Sequence, residues 1–284
     1  CHCPAAGDAV PPAAPDGDAT PAPSFAVQLA ASPVPGLVQL VATGCLGACT
    51  EPAARVQTTL GFVPAIATLP AAPLTVRDDV VTDAALALRN ADAAGAGIAL
   101  QAGGALLAAH ARLGAPPGAP GPTVADHDAA LHALAPDRLF ATLFGLDKAV
   151  WQQQPGVARI RCERPCNDSV RRAAATHRLL WIDGDLPLDG PLAVGSPERP
   201  VLIVADGAVQ FAGPVSVHGL VYASGAGWDD AAASSGALLR GALVSDSGWR
   251  GNAAPDLVYD AGILRALRAD TGSFARLPGT WRDF

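Results

Sequence analysis

The chain has no methionine, few aromatic residues and few charged residues, and each shortage restricts what it can be. Aromatic side chains make up 5% and charged side chains 16% of its 284 residues, so a core must come mainly from small and aliphatic groups. The net charge of −7, without clusters of lysine and arginine, argues against a nucleic-acid-binding surface, because phosphate contacts need such clusters. No apolar run reaches about 18 residues, so no membrane-spanning helix is predicted within the sequence.

Motifs that mark common enzymes and metal sites are also missing. The sequence contains no Gly-x-Gly-x-x-Gly, no phosphate-binding loop, no His-Glu-x-x-His and no Gly-x-Ser-x-Gly. Its histidines are scattered, and His218 lies in a strand pattern that suits a structural residue better than a catalytic base. The sequence therefore predicts no catalytic site, no metal centre and no cofactor, with calcium binding by acidic turns as an alternative.

Short runs rich in valine, leucine and isoleucine dominate the stretch 178–246, where glycine, proline and aspartate separate them. Runs of about four to six residues are too short for helices and predict strands. The turns Asp189-Gly190-Pro191 and Ala212-Gly213-Pro214 lie 23 residues apart, and a turn recurring at such a period favours the stacked rungs of a β-solenoid. An antiparallel sandwich with two similar turns is the alternative.

The first half of the chain begins with a different pattern. Apolar and polar residues alternate in three runs with short connections, which predicts a half-buried antiparallel meander; the runs are Phe25–Leu29, Gly36–Val41 and Ala54–Val63. Between Pro73 and Leu113, short apolar runs recur and predict a first set of solenoid-like rungs. An alanine-rich helix at Ala84–Arg89 is the alternative there.

A helical segment interrupts the β pattern. Pro136 suits the first position of a helix whose apolar face comprises Leu139, Phe140, Leu143 and Phe144. Asp147 is predicted to cap a short helix, and Asn167 or Asp168 to cap the next one.

Near the end of the chain, Asp260 is predicted to cap a helix over 261–270. The aromatic residues Trp281 and Phe284 among the last four positions predict a terminus that is docked rather than frayed.

The predicted fold is therefore mainly β, with an antiparallel meander, a β-solenoid-like (β-helix) body, a small α-helical insertion and a C-terminal helix. The predicted organisation is a Pro/Ala-rich linker at 1–24, the meander and first rungs at 25–114, the helical insertion at 115–178, and the solenoid-like region with its C-terminal helix and docked tail at 179–284.

The six cysteines form three close pairs: Cys1 with Cys3, Cys45 with Cys49, and Cys162 with Cys166. Local pairs in turn-rich sequence predict small disulfide loops made in an oxidising compartment. A zinc site built from both Cys-x3-Cys pairs is the alternative, although no histidine lies beside either pair. We expect such short loops to pin exposed segments, because they gain only modest stability from chain entropy.

Four aspartates at predicted turns are candidates for chemistry: Asp183, Asp185, Asp189 and Asp206. Paired carboxylates on a β-helix suit glycoside hydrolysis, which needs two of them about 5–10 Å apart. Asp-Gly pairs are also ordinary turn residues, and their recurrence at turns favours that role.

A loop rich in glycine, alanine and serine at Ala226–Ser235 is a separate candidate. It contains Trp228, Asp229 and Asp230, and an exposed tryptophan in such a loop predicts a contact surface.

Several stretches carry a family resemblance; they are Phe140–Lys148, Arg178–Leu186, Arg199–Val204, Val217–Ala223 and Leu277–Phe284. Together they resemble the large ectodomain of PilX-type type IV pilus assembly proteins of Gram-negative bacteria, loosely over 25–284 and most closely after Arg178. The resemblance implies a minor-pilin-like protein with a membrane-embedded N-terminal helix and no catalytic residues. Because the sequence starts at Cys1 without such a helix, we expect a signal, an anchor or a cloning boundary upstream.

The resemblance implies a structural protein that is not an enzyme and that acts in fimbrial biogenesis, priming or cell adhesion. It implies a periplasmic or extracellular, pilus-associated location, inner-membrane anchoring before assembly, and other pilin subunits or assembly proteins as partners. A host surface or a polysaccharide is a further candidate partner. The alternatives are a carbohydrate-active β-helix enzyme, whose acidic turns would converge in one groove with a raised carboxyl pKa, and a surface lipoprotein acylated at Cys1.

Overall fold

The computed structural model describes residues 23–46, 52–82, 86–90, 92, 97–108, 112–114, 123–162, 166–228, 238–251 and 256–284. The chain divides into two compact units. Unit 1 comprises Cys1–Val63 and Ser273–Phe284, and unit 2 comprises Pro64–Gly272. Unit 2 is therefore inserted in the chain between the two parts of unit 1.

The elements are numbered in chain order. The strands are β1 Pro23–Ala31, β2 Leu37–Leu46, β3 Pro52–Pro64, β4 Leu74–Val76, β5 Val80–Thr82, β6 Ala87–Asn90, β7 Ile98–Ala102, β8 Leu106–Ala108, β9 Arg112–Gly114, β10 Thr123–Ala125, β11 Val157–Arg161, β12 Leu179–Asp183, β13 Leu186–Asp189, β14 Leu192–Val194, β15 Val201–Ala212, β16 Val215–Trp228, β17 Leu238–Ser245, β18 Trp249–Gly251, β19 Asp256–Tyr259, β20 Gly272–Arg276 and β21 Arg282–Asp283. The helices are α1 Ala129–His132, α2 Pro136–Phe144, α3 Lys148–Trp151, α4 Asn167–Thr176 and α5 Ala261–Asp270.

Unit 1 is built on an antiparallel sheet in the order β1-β2-β3-β20, and β21 also pairs with β3. Leu29 lies opposite Leu40, and Val38 lies opposite Leu60, so apolar residues of successive strands share one face. The alternation in the sequence specifies this register, because a slip of one residue would move the apolar set to the other face. The predicted antiparallel meander is confirmed.

The last residues of the chain are held against β3 by backbone hydrogen bonds, whereas the aromatic side chains that prompted the prediction of a docked tail, Trp281 and Phe284, are exposed. Phe284 donates its backbone N–H to the Arg55 carbonyl at 2.9 Å and accepts the Arg55 N–H at 3.4 Å. Upstream, the Thr280 hydroxyl accepts the Thr59 amide at 3.1 Å, and the Leu277 amide donates to the Thr59 carbonyl at 2.9 Å. The tail thus continues the unit 1 sheet.

Unit 2 is dominated by a curled parallel sheet whose longest path is β10-β7-β4-β17-β16-β15-β12-β11. The antiparallel sandwich considered for 178–246 is wrong, because β12, β15, β16 and β17 all pair in parallel. The helix considered at Ala84–Arg89 is also wrong over its described residues, since Ala87–Asn90 is a strand. Residues 83–85 lie outside the described part of the chain.

The inner side of this sheet is filled by columns of aliphatic residues that follow the register from strand to strand. One column runs Leu180, Ile203, Val221, Leu243, Leu74 and Leu100, and all six are buried in one cluster. Burial of a leucine or valine side chain contributes about 1.5–3 kcal/mol, so each residue of such a column stabilises unit 2.

A helical layer covers the outer side of the same strands. Leu179 and Trp181 alternate with the inner residues of β12 and join a second buried cluster with residues of α2, α3 and α5. Strands buried on both sides require continuous apolar sequence, which explains runs such as Leu179–Ile182 and Val201–Val204. The predicted face of α2 is confirmed, since Leu139, Phe140, Leu143 and Phe144 are all buried.

The predicted helix caps have mixed outcomes. Asp260 caps α5 as expected, because its carboxylate accepts the amides of Gly262 and Ile263 at 3.0 and 3.1 Å. Asp147 occupies the N-cap position of α3 as expected, but its side chain makes no capping hydrogen bond. The cap predicted at Asn167 or Asp168 is also wrong, because α4 begins one residue earlier, with Cys166 at the N-cap.

Candidate binding surfaces

Two cysteines lie at one edge of the unit 2 sheet and are joined covalently. Cys162 and Cys166 form a disulfide with a Cα–Cα distance of 5.0 Å. Cys166 is fully buried in the same cluster as Ile160 of β11 and Val170 of α4. The bridge therefore fixes the start of α4 against the core as well as closing a short loop.

The other predicted disulfides lie partly or wholly outside the described residues. Cys45 is buried and disulfide-bonded. Cys49, Cys1 and Cys3 are outside the described part of the chain, so the pairings predicted for them stay predictions.

Asp183, the first of the predicted acidic candidates, is paired with arginine side chains of the neighbouring strand. Arg159 on the neighbouring β11 donates to its carboxylate at 2.8 Å, Arg161 lies 3.6 Å away, and the Trp181 indole N–H donates at 3.0 Å. The hydrogen bond from Arg159 is the largest cause of the lowered pKa of Asp183. A carboxylate held ionised in this way suits a structural ion pair better than a general acid.

Asp185 serves a turn and has a counterpart on the far side of the sheet. Its carboxylate accepts the Ala208 amide of β15 at 2.9 Å, and Asp79 accepts the Ala105 amide in the same way at 2.8 Å. Glycine precedes both amides, because a side chain at Gly207 or Gly104 would collide with the carboxylate. This repeated contact is the turn chemistry that the sequence favoured.

Asp189 and Asp206, the other two acidic candidates, lie in different places on the surface. Asp189 lines an open groove together with Asp185, whereas Asp206 lies outside that groove, 3.8 Å from the ammonium of Lys148. Within the described residues, no group of three or more acidic, histidine or cysteine side chains is placed to hold a metal ion.

The predicted contact loop is described only at its first residues. Trp228 ends β16, where its backbone pairs with Phe211 on one side and Gly251 on the other. Asp229 and Asp230 lie outside the described residues, so the contact predicted for them stays a prediction.

A buried polar cluster that the sequence did not reveal ties the helical layer to the sheet. Asp246 is almost fully buried and accepts the Tyr222 hydroxyl at 2.9 Å and the Lys148 ammonium at 3.3 Å. The same ammonium lies 5.9 Å from the ring centre of Phe140. Burial, and then the charge of Asp246, raise the pKa of Tyr222. Asp246 reads as a turn residue in the sequence, and no local signal marks its burial.

One face of the unit 1 sheet is apolar and only partly buried. Register places on it the residues that we call the apolar face: Phe25, Val27, Leu29, Val38, Leu40, Val56 and Leu60. None of them belongs to either buried hydrophobic cluster found among the described residues. Contiguous apolar surface of this kind usually marks an interaction site.

The C-terminal segment adds a second exposed feature to unit 1. Phe274, Trp281 and Phe284 expose 52%, 55% and 71% of their surface, and we call them the aromatic strip. The Arg276 guanidinium lies 6.0 Å from the Trp281 ring centre. Aromatic residues and arginine are enriched at protein interfaces, and these are held in place by the backbone bonds of the tail.

None of the helices in the described part of the chain combines the length and the apolar character needed to cross a membrane.

Comparison with known proteins adds one weak likeness. No protein-family model and no curated protein matches the sequence. Among solved structures, the competence-associated pilin ComZ from Thermus thermophilus is similar at 12% sequence identity, with 92% of this chain and 84% of that chain covered and a TM-score of 0.26. Because that TM-score is so low, we infer neither fold nor function from the likeness.

Proposed function

We propose that this protein is a structural component of a type IV pilus or of its assembly machinery, with a minor-pilin-like role in assembly, priming or adhesion. Unit 1 makes the contact with neighbouring subunits, and unit 2 is the inserted body that the subunit presents. The role is structural, without catalysis or a cofactor. The subunit belongs to the periplasm or the cell exterior, where its disulfides are stable.

The observation that supports the proposal most directly is the apolar face of unit 1. The resemblance of the sequence to PilX-type proteins implies a pilin-like helix, and the apolar side of a helix fits an apolar sheet face of this kind. The aromatic strip offers a second contact of the composition typical of interfaces. Other pilin subunits are the partners that such surfaces suit.

The parallel pairing of the unit 2 strands supports a β-solenoid architecture for this unit. Up to three strands of each rung pair with the corresponding strands of the next, as in Leu186 with Val209, Leu192 with Val215 and Leu179 with Leu202. We take this arrangement as a β-solenoid, a rigid form suited to a body displayed on a fibre.

The proposal is tested by placing a charge on the apolar face. Leu40→Glu puts a carboxylate at its centre, and Gln39→Glu puts the same group on the adjacent residue of β2, which faces the other side of the sheet. Each variant replaces the wild-type protein in its own cells, and the amount in sheared surface filaments is measured by mass spectrometry. Leu40→Glu should lower that amount at least about tenfold, equivalent to roughly 1.4 kcal/mol of docking free energy.

The Gln39→Glu control should enter filaments at the wild-type level. Unfolding curves of the purified proteins identify a variant that fails to fold. A folded Leu40→Glu protein that enters filaments as well as wild type would overturn the role of the apolar face.

A further inference from the structure

The outer side of β13, β15, β16 and β18 carries an open groove in unit 2. Its main part has a volume of about 650 Å³ and is lined by Asp185, Pro187, Leu188, Asp189, Ala208, Gln210 and Ala212. A second hollow of about 220 Å³ continues it across β16 to Arg250 and shares Ala208 and Gln210 with the first. Neither the pilus proposal nor the acidic turn chemistry accounts for this surface.

The register of the strands explains how the groove is built. Pro187, Gln210, Gly227 and Arg250 lie side by side on the four strands. Residues next to them along these strands belong to the inner buried cluster: Leu186, Leu188, Val209, Phe211, Ala226 and Trp249. At Gly227, glycine is the only residue type that fits the row, since a Cβ there would lie 2.7 Å from the Arg250 carbonyl oxygen and 3.1 Å from the Gln210 side-chain oxygen. Three strand spacings of about 4.8 Å give this row a length of about 14 Å, enough for a short extended chain.

The polar groups of the groove are available for a ligand. Among the described residues, no hydrogen bond or ion pair joins the side chain of Asp189, Gln210 or Arg250 to another described residue, and all three side chains are exposed. Together they supply carboxylate acceptors, an amide that both donates and accepts, and a guanidinium that donates. Pro187, Ala208 and Ala212 supply small apolar patches between them.

We propose that this groove binds an extended, uncharged oligosaccharide, such as a segment of a neutral polysaccharide. Planar carboxylate, amide and guanidinium groups match pairs of adjacent sugar hydroxyls, and the apolar patches accept the C–H faces of sugar rings. The two carboxylates, Asp185 and Asp189, outnumber the one guanidinium of Arg250, so a polyanion is disfavoured.

A peptide fits the groove less well. The floor strands β15, β16 and β18 are paired on both sides, so none of them has a free edge to which a peptide could add as a strand. Strand β13 pairs only with β15, but Pro187 has no N–H to donate from it, and the Asn167 side chain already bonds the N–H and the carbonyl of Asp189. The apolar patches are also too small to anchor large side chains. The inference concerns binding alone, because Asp185 already accepts the Ala208 amide. It does not rest on the pilus proposal and survives if the protein never enters a filament.

The test uses the full chain and isothermal titration with four probes: chitohexaose, cellohexaose, laminarihexaose and hexamannuronate. The wild-type protein should bind at least one of the three neutral hexasaccharides and bind it more tightly than hexamannuronate. Gln210→Ala and Arg250→Ala should each weaken that binding about tenfold, since each removes hydrogen bonds to the ligand. Arg240→Ala is the matched control, because Arg240 is exposed on β17 opposite His218, outside the groove.

Three results would overturn the inference. The first is a wild-type protein that binds none of the neutral hexasaccharides. The second is preferential binding of hexamannuronate. The third is binding that Gln210→Ala and Arg250→Ala leave unchanged, which would place the sugar elsewhere. Thermal unfolding of each variant checks that a loss of binding does not come from a loss of fold.

Discussion

Leu243 of β17 pairs in register with Leu74 of β4, and this pair joins the two ends of unit 2 in one sheet. The Leu243 amide donates to the Pro73 carbonyl at 2.8 Å, and both leucine side chains are fully buried. A strand from the beginning of unit 2 in the sequence therefore lies next to a strand from near its end. Because each needs the other to bury its inner column, we expect unit 2 to unfold as one cooperative body.

Shortening Leu243 tests this junction. Leu243→Ala should lower the free energy of unfolding by about 2–5 kcal/mol, because it leaves a cavity in a filled column. Leu107→Ala, at a leucine with 56% of its surface exposed, should change it by no more than about 0.5 kcal/mol. Urea unfolding of both variants measures the difference, and equal effects would contradict the account of the junction.

The buried carboxylate of Asp246 is contacted by Tyr222 and Lys148, and removing either of these two groups should destabilise the fold. Tyr222→Phe removes one hydrogen bond to a buried carboxylate and should lower the free energy of unfolding by about 1.5–3 kcal/mol. Lys148→Met removes the nearby cation and should also destabilise. Urea unfolding of the single variants and of the double variant gives their coupling. Additive effects would mean that the three side chains do not act as one cluster.

The pKa of Asp183 should depend on Arg159. Its folded-state pKa is lowered, so its stabilising contribution is present above the unfolded-state pKa, about 3.9, and is lost as pH falls through the folded-state value. Arg159→Ala should raise the pKa of Asp183 towards the ordinary range, because the main hydrogen-bond donor is removed. NMR titration of the side-chain carboxyl carbon measures the shift. Arg171→Ala, which removes the partner of Asp168, is the control and should leave Asp183 unchanged.

The bridge between Cys162 and Cys166 should contribute modestly to stability. Replacing both residues by alanine should lower the free energy of unfolding by about 2 kcal/mol, the chain-entropy value for so short a loop. Urea unfolding of the double variant and of oxidised wild type measures this. Identical unfolding midpoints would show that the bridge has no effect on the folded state.

The sequence predicted those parts of the fold that local pattern controls. The alternation in Phe25–Leu29 and Ala54–Val63 specified an antiparallel register, and the apolar spacing from Leu139 to Phe144 specified the buried side of α2. Both signals arise because one side of the element is buried and the other is not.

What the sequence could not supply depends on contacts between distant segments. The pairing of Leu243 with Leu74 has no local signature, since each residue lies in an ordinary short apolar run. The same holds for Asp246, which meets Lys148 and Tyr222 only after the helical layer has docked. The cap of α4 was missed because the disulfide-bonded Cys166 occupies the N-cap position, which leaves Asn167 as the first residue of the helix.

The groove was only half visible in the sequence. Of the four aspartates that the sequence offered as candidates, Asp185 and Asp189 line the groove. Gln210 and Arg250 were not connected with them, because the four residues meet only when parallel strands place Pro187, Gln210 and Arg250 in one row.

The central claim is that the protein is a pilus component, and the most direct test is its presence in the fibre. Surface filaments would be sheared from cells that make a tagged full-length protein, purified through the tag, and analysed by mass spectrometry. The proposal predicts that the protein co-purifies with a major pilin. Filaments that lack it, together with a protein that stays alone in the soluble fraction, would contradict the proposal.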